Sequence, residues 1–580
     1  MKLRSFFTLL IALVLALLLL SASGFYWLTT QTPLNLLQGG STATPTAAMF
    51  VPKQALIMVS LLENPDRLEA LRQVFVRPEE RGRSHQEFNQ IKRSLLTNTG
   101  LDYNRDIQPW LGNEMTLAIT STDLDRDRNN GEQIGLLLAL ATSNPNRSQE
   151  FLQLFWQKQV TAGEALVFES YKGVKLTYRR AAIENRLTPP LTRTLKAFPS
   201  DLPPTFATAI VNGGTSSFVL FANHPKVLRN AINNVQASNL NLDHAVAYQK
   251  ALQPLTLGRI GFVYANLPLL TNWINTQQSN KFRDRTLTSP TALAIALGIN
   301  QQGLLAQTAL VTPDGEPLPS SPPQLGLVKA LEHIPAVSPF AVASTNLNGL
   351  WNQIASGLSE NQIFSPFINQ TLANIQRNWA IDLPQDIFSW VRGEYALGLF
   401  PRLDRLQPDW IFIAEKSTDS QQAIERLDAI AVNQGYSIAS FSLEEQQISA
   451  WTRLTTAEIS SKKNTEIQAE ARGVHATVGN YEIFTTSVEA MDEAIKAVQT
   501  GTLAANSEFQ TSIAPLPKPN YGYLYLDWSS SRKIWERQIP LLRLIELSGK
   551  PFFDHLRSLT LTSIGSQAGV RRATVLFRLS

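Results

Sequence analysis

Apolar and polar positions alternate along this chain in short blocks, and the same blocks come round twice. Ala55–Leu62 is a continuous apolar run of the kind a buried strand needs. The stretches 65–75 and 85–96 read as helices, and Met115–Ile119 and Ile134–Ala141 as strands. Asn144-Pro145 then opens a helix, with proline in its first turn, and Phe151, Leu152 and Phe155 share one face. Ala165–Glu169 and Val174–Tyr178 flank Lys172-Gly173 as a hairpin. This β-α-β-β-α-β order predicts ferredoxin-like elements.

The second half of the block differs. Phe206–Val211 and Ser217–Phe221 flank Asn212-Gly213-Gly214, a hairpin turn. Asn223 is placed to cap a helix striped by Val227, Leu228, Ala231, Ile232 and Val235. Strand Ile260–Asn266, helix Leu267–Ile274 and a hairpin of Ala292–Leu297 with Leu304–Val311 close the block.

The second block repeats the first. Asp102-x-x-x-Asp106-Ile107-x-x-Trp110 returns as Asp382-x-x-x-Asp386-Ile387-x-x-Trp390, and Glu114 and Glu394 keep the same displacement of 280 residues. Phe340–Ser344 resembles Ala55–Ser60, Ile411–Ser417 resembles Leu138–Ser143, and Tyr521–Asp527 resembles Ile260–Asn266. Ser487 stands as a cap before Ala490, Met491, Ala494, Ile495 and Val498. The displacement has shrunk to 261 at Gly261 and Gly522, which places the missing residues in the proline-containing stretch Ile183–Pro204. Repeat units of about 250 residues are whole domains rather than solenoid turns. The expected fold is α+β: two tandem homologous domains, 49–311 and 334–580, each a mainly antiparallel sheet with helices on one face. Between them, 312–333 holds a proline-rich linker that neither helix nor central strand accommodates.

The amino terminus follows another pattern. Lys2 and Arg4 precede the uncharged run Phe6–Leu28, and no charge returns until Lys53. As a helix the run would be about 34 Å long, enough for a hydrocarbon core of about 30 Å. Residues 1–30 are therefore expected to form an N-terminal transmembrane helix with its start in the cytoplasm, and 31–48 a flexible tether. Cleavage near Ser21-Ala22-Ser23 and secretion is the alternative. Either way the bulk of the chain is exported, to a periplasm or thylakoid lumen.

Composition narrows the chemistry. The chain has no cysteine, which excludes disulfides, thiol catalysis and thiolate-bound metals. A formal charge of +4 over 580 residues forms no nucleic-acid-binding stripe. The six histidines are scattered, with no His-Glu-x-x-His, and neither a Gly-x-Ser-x-Gly elbow nor a phosphate-binding glycine loop is present. Asp123, Asp125 and Asp127 alternate as calcium ligands can, but glycine is missing from the sixth loop position and Arg126 and Arg128 intervene. A solvated hairpin loop is the expectation there. The sets Asp106/Trp110/Glu114 and Asp386/Trp390/Glu394 are the repeated candidate surface or structural residues. A carboxylate near an indole can hold a sugar or act as a general acid. The spacing also fits a capped helical turn that buries its indole, and this is the reading preferred.

The amino-terminal segment, the two Asp-Ile-x-x-Trp motifs, and Gly261-x-x-Tyr264 with Gly522-x-x-Tyr525 together resemble the cyanobacterial domain of unknown function 3352 family. The resemblance covers the chain from about Ala48 onward. It implies a cyanobacterial source and an envelope or thylakoid-facing location, and it carries over no catalytic residues and no cofactor. The leading functional expectation is a non-catalytic, membrane-anchored binding or scaffold protein with an envelope protein partner and no nucleic acid. An envelope hydrolase or carbohydrate-active enzyme using paired carboxylates, such as Asp106 with Glu114, is the alternative, and a lipid-carrying module is a third.

Overall fold

The computed structural model describes residues 42–68, 102–125, 133–180, 205–214, 216–276, 291–312, 323–358, 365–402, 407–458, 465–538 and 550–579. The expected helix at 85–96 and the loop 183–204 lie outside them. So does the expected transmembrane segment. An N-terminal transmembrane helix is not supported: among the described residues, no helix is long and apolar enough to cross a membrane.

The chain divides into two units. The first holds Met1–Asp314, with Leu544–His555 and Ser580; the second holds Gly315–Arg543 and Leu556–Leu579. In the first, ten strands are described: β1 (Ile57–Leu61), β2 (Leu111–Ser121), β3 (Gly135–Thr142), β4 (Leu166–Tyr171), β5 (Val174–Arg179), β6 (Ala207–Asn212), β7 (Ser217–Ala222), β8 (Gly261–Asn266), β9 (Ala292–Ile299) and β10 (Gly303–Val311). Their pairing runs 4-5-6-7-3-2-1-8-9-10, every pair antiparallel. The second contains β11 (Phe340–Thr345), β12 (Glu394–Phe400), β13 (Asp409–Glu415), β14 (Ser437–Leu443), β15 (Gln446–Glu458), β16 (Thr465–Val478), β17 (Tyr481–Thr485), β18 (Tyr523–Asp527), β19 (Leu556–Gln567) and β20 (Val570–Leu579). Its order is 14-15-16-17-13-12-11-18-19-20, the first order with ten added to each strand.

Three expectations are corrected here. All twenty described strands pair antiparallel, where mainly antiparallel sheets were expected. The ferredoxin-like unit is absent from the pairings above: in that unit another strand separates the two strands joined by the first helix, whereas here β1 pairs directly with β2 and has β8 on its other side. Finally, helices cover both faces of the sheet in the first unit. Phe151, Leu152, Phe155 and Trp156 of the Pro145–Thr161 helix pack on Leu140, Val219 and Phe221. Phe218, one residue along β7 and so on the opposite face, meets Phe50 edge-on at 5.1 Å. On that same face Tyr248, from the Val246–Leu252 helix, stands edge-on to Phe262 and Tyr264 at 5.9 and 5.3 Å. β7 is apolar on both sides for this reason, with Phe218 to Ala222 all buried.

The shortening of the second copy is also distributed. The displacement is 280 at Trp110 and Trp390, 274 at Ser143 and Ser417, and 263 at the helix caps His224 and Ser487. Six residues are therefore lost in the β2–β3 connection, well before the stretch first expected to account for the difference.

Phe218 is fully buried against the Phe50 ring. Phe218→Ala should lower unfolding free energy by about 3–5 kcal/mol in urea titrations. A loss below about 1 kcal/mol would contradict a two-sided core.

Candidate functional site

The repeated Asp-Ile-x-x-Trp segments are wide single turns. Tyr103–Ile107 and Leu383–Phe388 form π-type turns, capped by Asp102 and Asp382. Asp102 accepts the amide of Arg105 at 2.9 Å, and Asp382 that of Gln385 at 3.2 Å. Asp106 and Asp386 reach back to the amides of Asp102 and Asp382, both at 2.8 Å. This is a reciprocal cap spaced for a wider helix, and it satisfies donors that a short turn leaves open. The indoles of Trp110 and Trp390 are buried, and each donates Nε1–H to the carbonyl of Asp106 or Asp386, at 2.7 and 3.0 Å. Asp106 also pairs with Arg105 at 2.8 Å, which holds its carboxyl below the usual range. Asp386 lies 3.9 Å from Arg426.

Glu114 and Glu394 serve the opening of each repeat. Glu114 accepts the amides of Thr46 and Ala47 at 3.0 and 2.8 Å, in the first turn of a 3₁₀ helix, Thr46–Phe50. The Thr116 hydroxyl adds a third hydrogen bond at 3.1 Å. Glu394 accepts the amide of Ala330 at 3.3 Å, in the 3₁₀ helix Lys329–His333, and the Tyr481 hydroxyl at 3.0 Å. Both turns fall in stretches expected to be tether or linker, yet Ala47, Ala48, Ala330 and Leu331 are buried. Burial pushes the Glu114 carboxyl up, against the lowering effect of its hydrogen bonds. Thus all four repeated carboxylates accept backbone amides.

The two repeats fill one place differently. Trp156, on the Pro145–Thr161 helix, donates to Thr208 of β6 at 2.8 Å and packs against Phe206. Aligned by helix caps Asn144 and Asp419 and by strand register, the second copy has Ala431 and Gly473 at these positions. The indole of Trp451, from β15, lies over Gly473 instead. A Cβ at Gly473 would stand 2.4 Å from it. Trp451 donates to Asp428 at 2.7 Å, and His475 meets the same carboxylate oxygen at 3.1 Å. Beside them opens a shallow depression, lined by Trp379, Ile381, Leu427, Tyr436, Trp451 and Arg472 among others. Arg453 stacks on the Tyr436 ring at 4.6 Å. Residue-by-residue motif reading missed this cluster. The signal available was the loss of Trp and Phe from one copy and the gain of Trp451 in a neighbouring strand.

The aspartate loop ends differently. Asp125 accepts from Gln133 at 2.8 Å, and Lys226 donates its ammonium to the Leu124 carbonyl between Asp123 and Asp125. Asp127 lies outside the described residues. Among the described residues, no group of three His, Asp or Glu side chains is placed to hold a metal ion. The helix at 225–236 is capped by His224, whose Nδ1 accepts the Lys226 amide at 3.1 Å, rather than by Asn223. Asn223 instead pins β3, at the Leu136 amide and the Ile134 carbonyl. Burial pushes the His224 imidazole down, consistent with its accepting role.

A family model described as Protein of unknown function (DUF3352) matches residues 10–579, and the chain belongs to that family. No curated protein and no solved structure matches it.

Two outcomes test this geometry. Burial holds the folded Glu114 carboxyl above the ordinary carboxylate range, so the folded state holds the proton longer than the unfolded one. This group's contribution to stability should therefore fall as pH rises from about 4.5 through its folded pKa. Urea titrations across pH 4–8 should show a smaller fall for Glu114→Gln than for wild type; parallel curves would refute the assignment. Gly473→Ala should cost about 1–3 kcal/mol through overpacking, and much less in a Trp451→Ala background. Equal costs in both backgrounds would show that the indole is not the obstacle.

Proposed function

We propose that this chain is a non-catalytic binding or scaffold protein working outside the cytoplasm, in a periplasm or thylakoid lumen of a cyanobacterium. What carries the reading is the engagement of Asp106, Glu114, Asp386 and Glu394 with backbone amides. A carboxylate committed to holding a turn is poorly disposed to shuttle protons to a substrate. The contact surface assigned to a partner is the depression beside Trp379, Tyr436, Trp451 and Arg472. Trp379 and Tyr436 are half-buried and Arg472 is exposed there, and aromatic and arginine side chains supply most of the energy at many protein interfaces. The extracytoplasmic placement rests on Lys2, Arg4 and the uncharged run Phe6–Leu28.

The test is crosslinking in intact cells through a carboxyl-terminal tag, followed by mass spectrometry. One reproducible protein partner is expected, with recovery falling at least tenfold for Trp379→Ala with Arg472→Ala at unchanged melting temperature. A retained lipid or glycan with no protein would overturn the reading in favour of a carrier or an enzyme. Protease added to intact spheroplasts should digest the tagged end; full protection from it would overturn the placement.

A further inference from the structure

β14 ends the strand order of its unit and hydrogen-bonds only to β15 among the described residues. It reads Ser437-Ile438-Ala439-Ser440-Phe441-Ser442-Leu443, seven residues with neither charge nor proline. Ile438 and Phe441 are 40% and 38% exposed. Natural sheets guard exposed edges with lysine, proline or bulges, and this strand has none of these. β4, at the corresponding end of the other unit, carries Glu169, which binds Arg229.

The turn fixes which backbone groups face outward. Glu444 and Glu445 have φ of 49° and 63°, the left-handed pair that a two-residue type I′ hairpin requires. In such a hairpin the flanking pair, Leu443 and Gln446, exchanges hydrogen bonds, and pairs alternate from there. Leu443, Phe441 and Ala439 therefore bond to β15. Ile438, Ser440 and Ser442 direct their N–H and C=O groups to the open edge.

We propose that β14 pairs with β14 of a second copy, antiparallel about a two-fold axis at Ser440. This register uses every outward group: Ser440 faces Ser440, and Ile438 faces Ser442 twice. It sets small Ala439 opposite large Phe441. It also brings each Glu444-Glu445 turn beside Tyr436 of the other copy, where Arg453 stacks on the ring. Opposite charges thus meet at both ends of an uncharged strand pair. An isologous contact of this kind closes as a dimer.

The chain contains no cysteine, so a single introduced thiol reports its own neighbourhood. Hydrogen-bonded partners across antiparallel strands stand about 5.5 Å apart at Cα, within disulfide reach. Full-length Ser440→Cys should form a disulfide-linked dimer under mild oxidation, whereas Ser437→Cys, which this register sets opposite Leu443, should not. In sedimentation, wild type should dimerise with concentration, while Ser440→Lys should stay monomeric with an unchanged melting temperature. Phe168→Lys, on β4, should leave the dimer intact. A wild type that remains monomeric at all concentrations overturns the proposal. So does equal crosslinking of Ser437→Cys, or a Ser440→Lys dimer as tight as wild type.

Discussion

Each repeat hangs on satisfying backbone amides at two short turns, one carrying a buried indole and the other itself largely buried. A helix of one turn leaves most of its donors without internal partners, and burying them unpaired costs on the order of 1–3 kcal/mol each. Asp102 and Asp106 answer this at the turn that delivers Trp110 to the core, and Asp382 and Asp386 do the same for Trp390. Glu114 and Glu394 answer it at the 3₁₀ turns that open each repeat. The turn with its indole and the 3₁₀ helix with its carboxylate then fix how β2 and β12 enter the sheet. The strand order is identical in the two units.

With that framework held in common, the repeats diverge where a core position can change without disturbing the turns. The clearest case is the exchange of Trp156 and Phe206 for Ala431, Gly473 and an indole from the neighbouring strand. The Trp451 indole takes the space over Gly473 from a different strand. The exchange leaves a depression and a half-buried Asp428 shared by Trp451 and His475. Duplication therefore supplied a stable frame, and one copy acquired surface chemistry that the other lacks.

The connections tell the same story. Six residues lost between β2 and β3 account for the absence, in the second copy, of the aspartate-rich loop of the first. A Lys226 ammonium lies on the Leu124 carbonyl within that loop. Loop length here tracks local chemistry, since the strands on either side keep their register.

The sequence by itself determined the strands, the capped helices and the duplication, because these rest on local periodicity and on residues such as Asn144 and Ser487 that cap through neighbouring amides. It also marked Asp106, Trp110 and Glu114 as a set. It did not show what Glu114 holds, since Thr46 and Ala47 are 68 and 67 residues away and a single 3₁₀ turn has too few residues for a period. It assigned the cap at 225–236 to Asn223, because His224 and Asn223 are both able to accept and only the fold turns one toward β3. Only the tertiary structure decided the order in which the strands of each unit pair, that helices cover both faces of the first unit's sheet, and that Trp451, Asp428 and His475 meet. Those facts depend on contacts between distant segments, made by backbone groups common to every residue and by side chains whose neighbours no local pattern records.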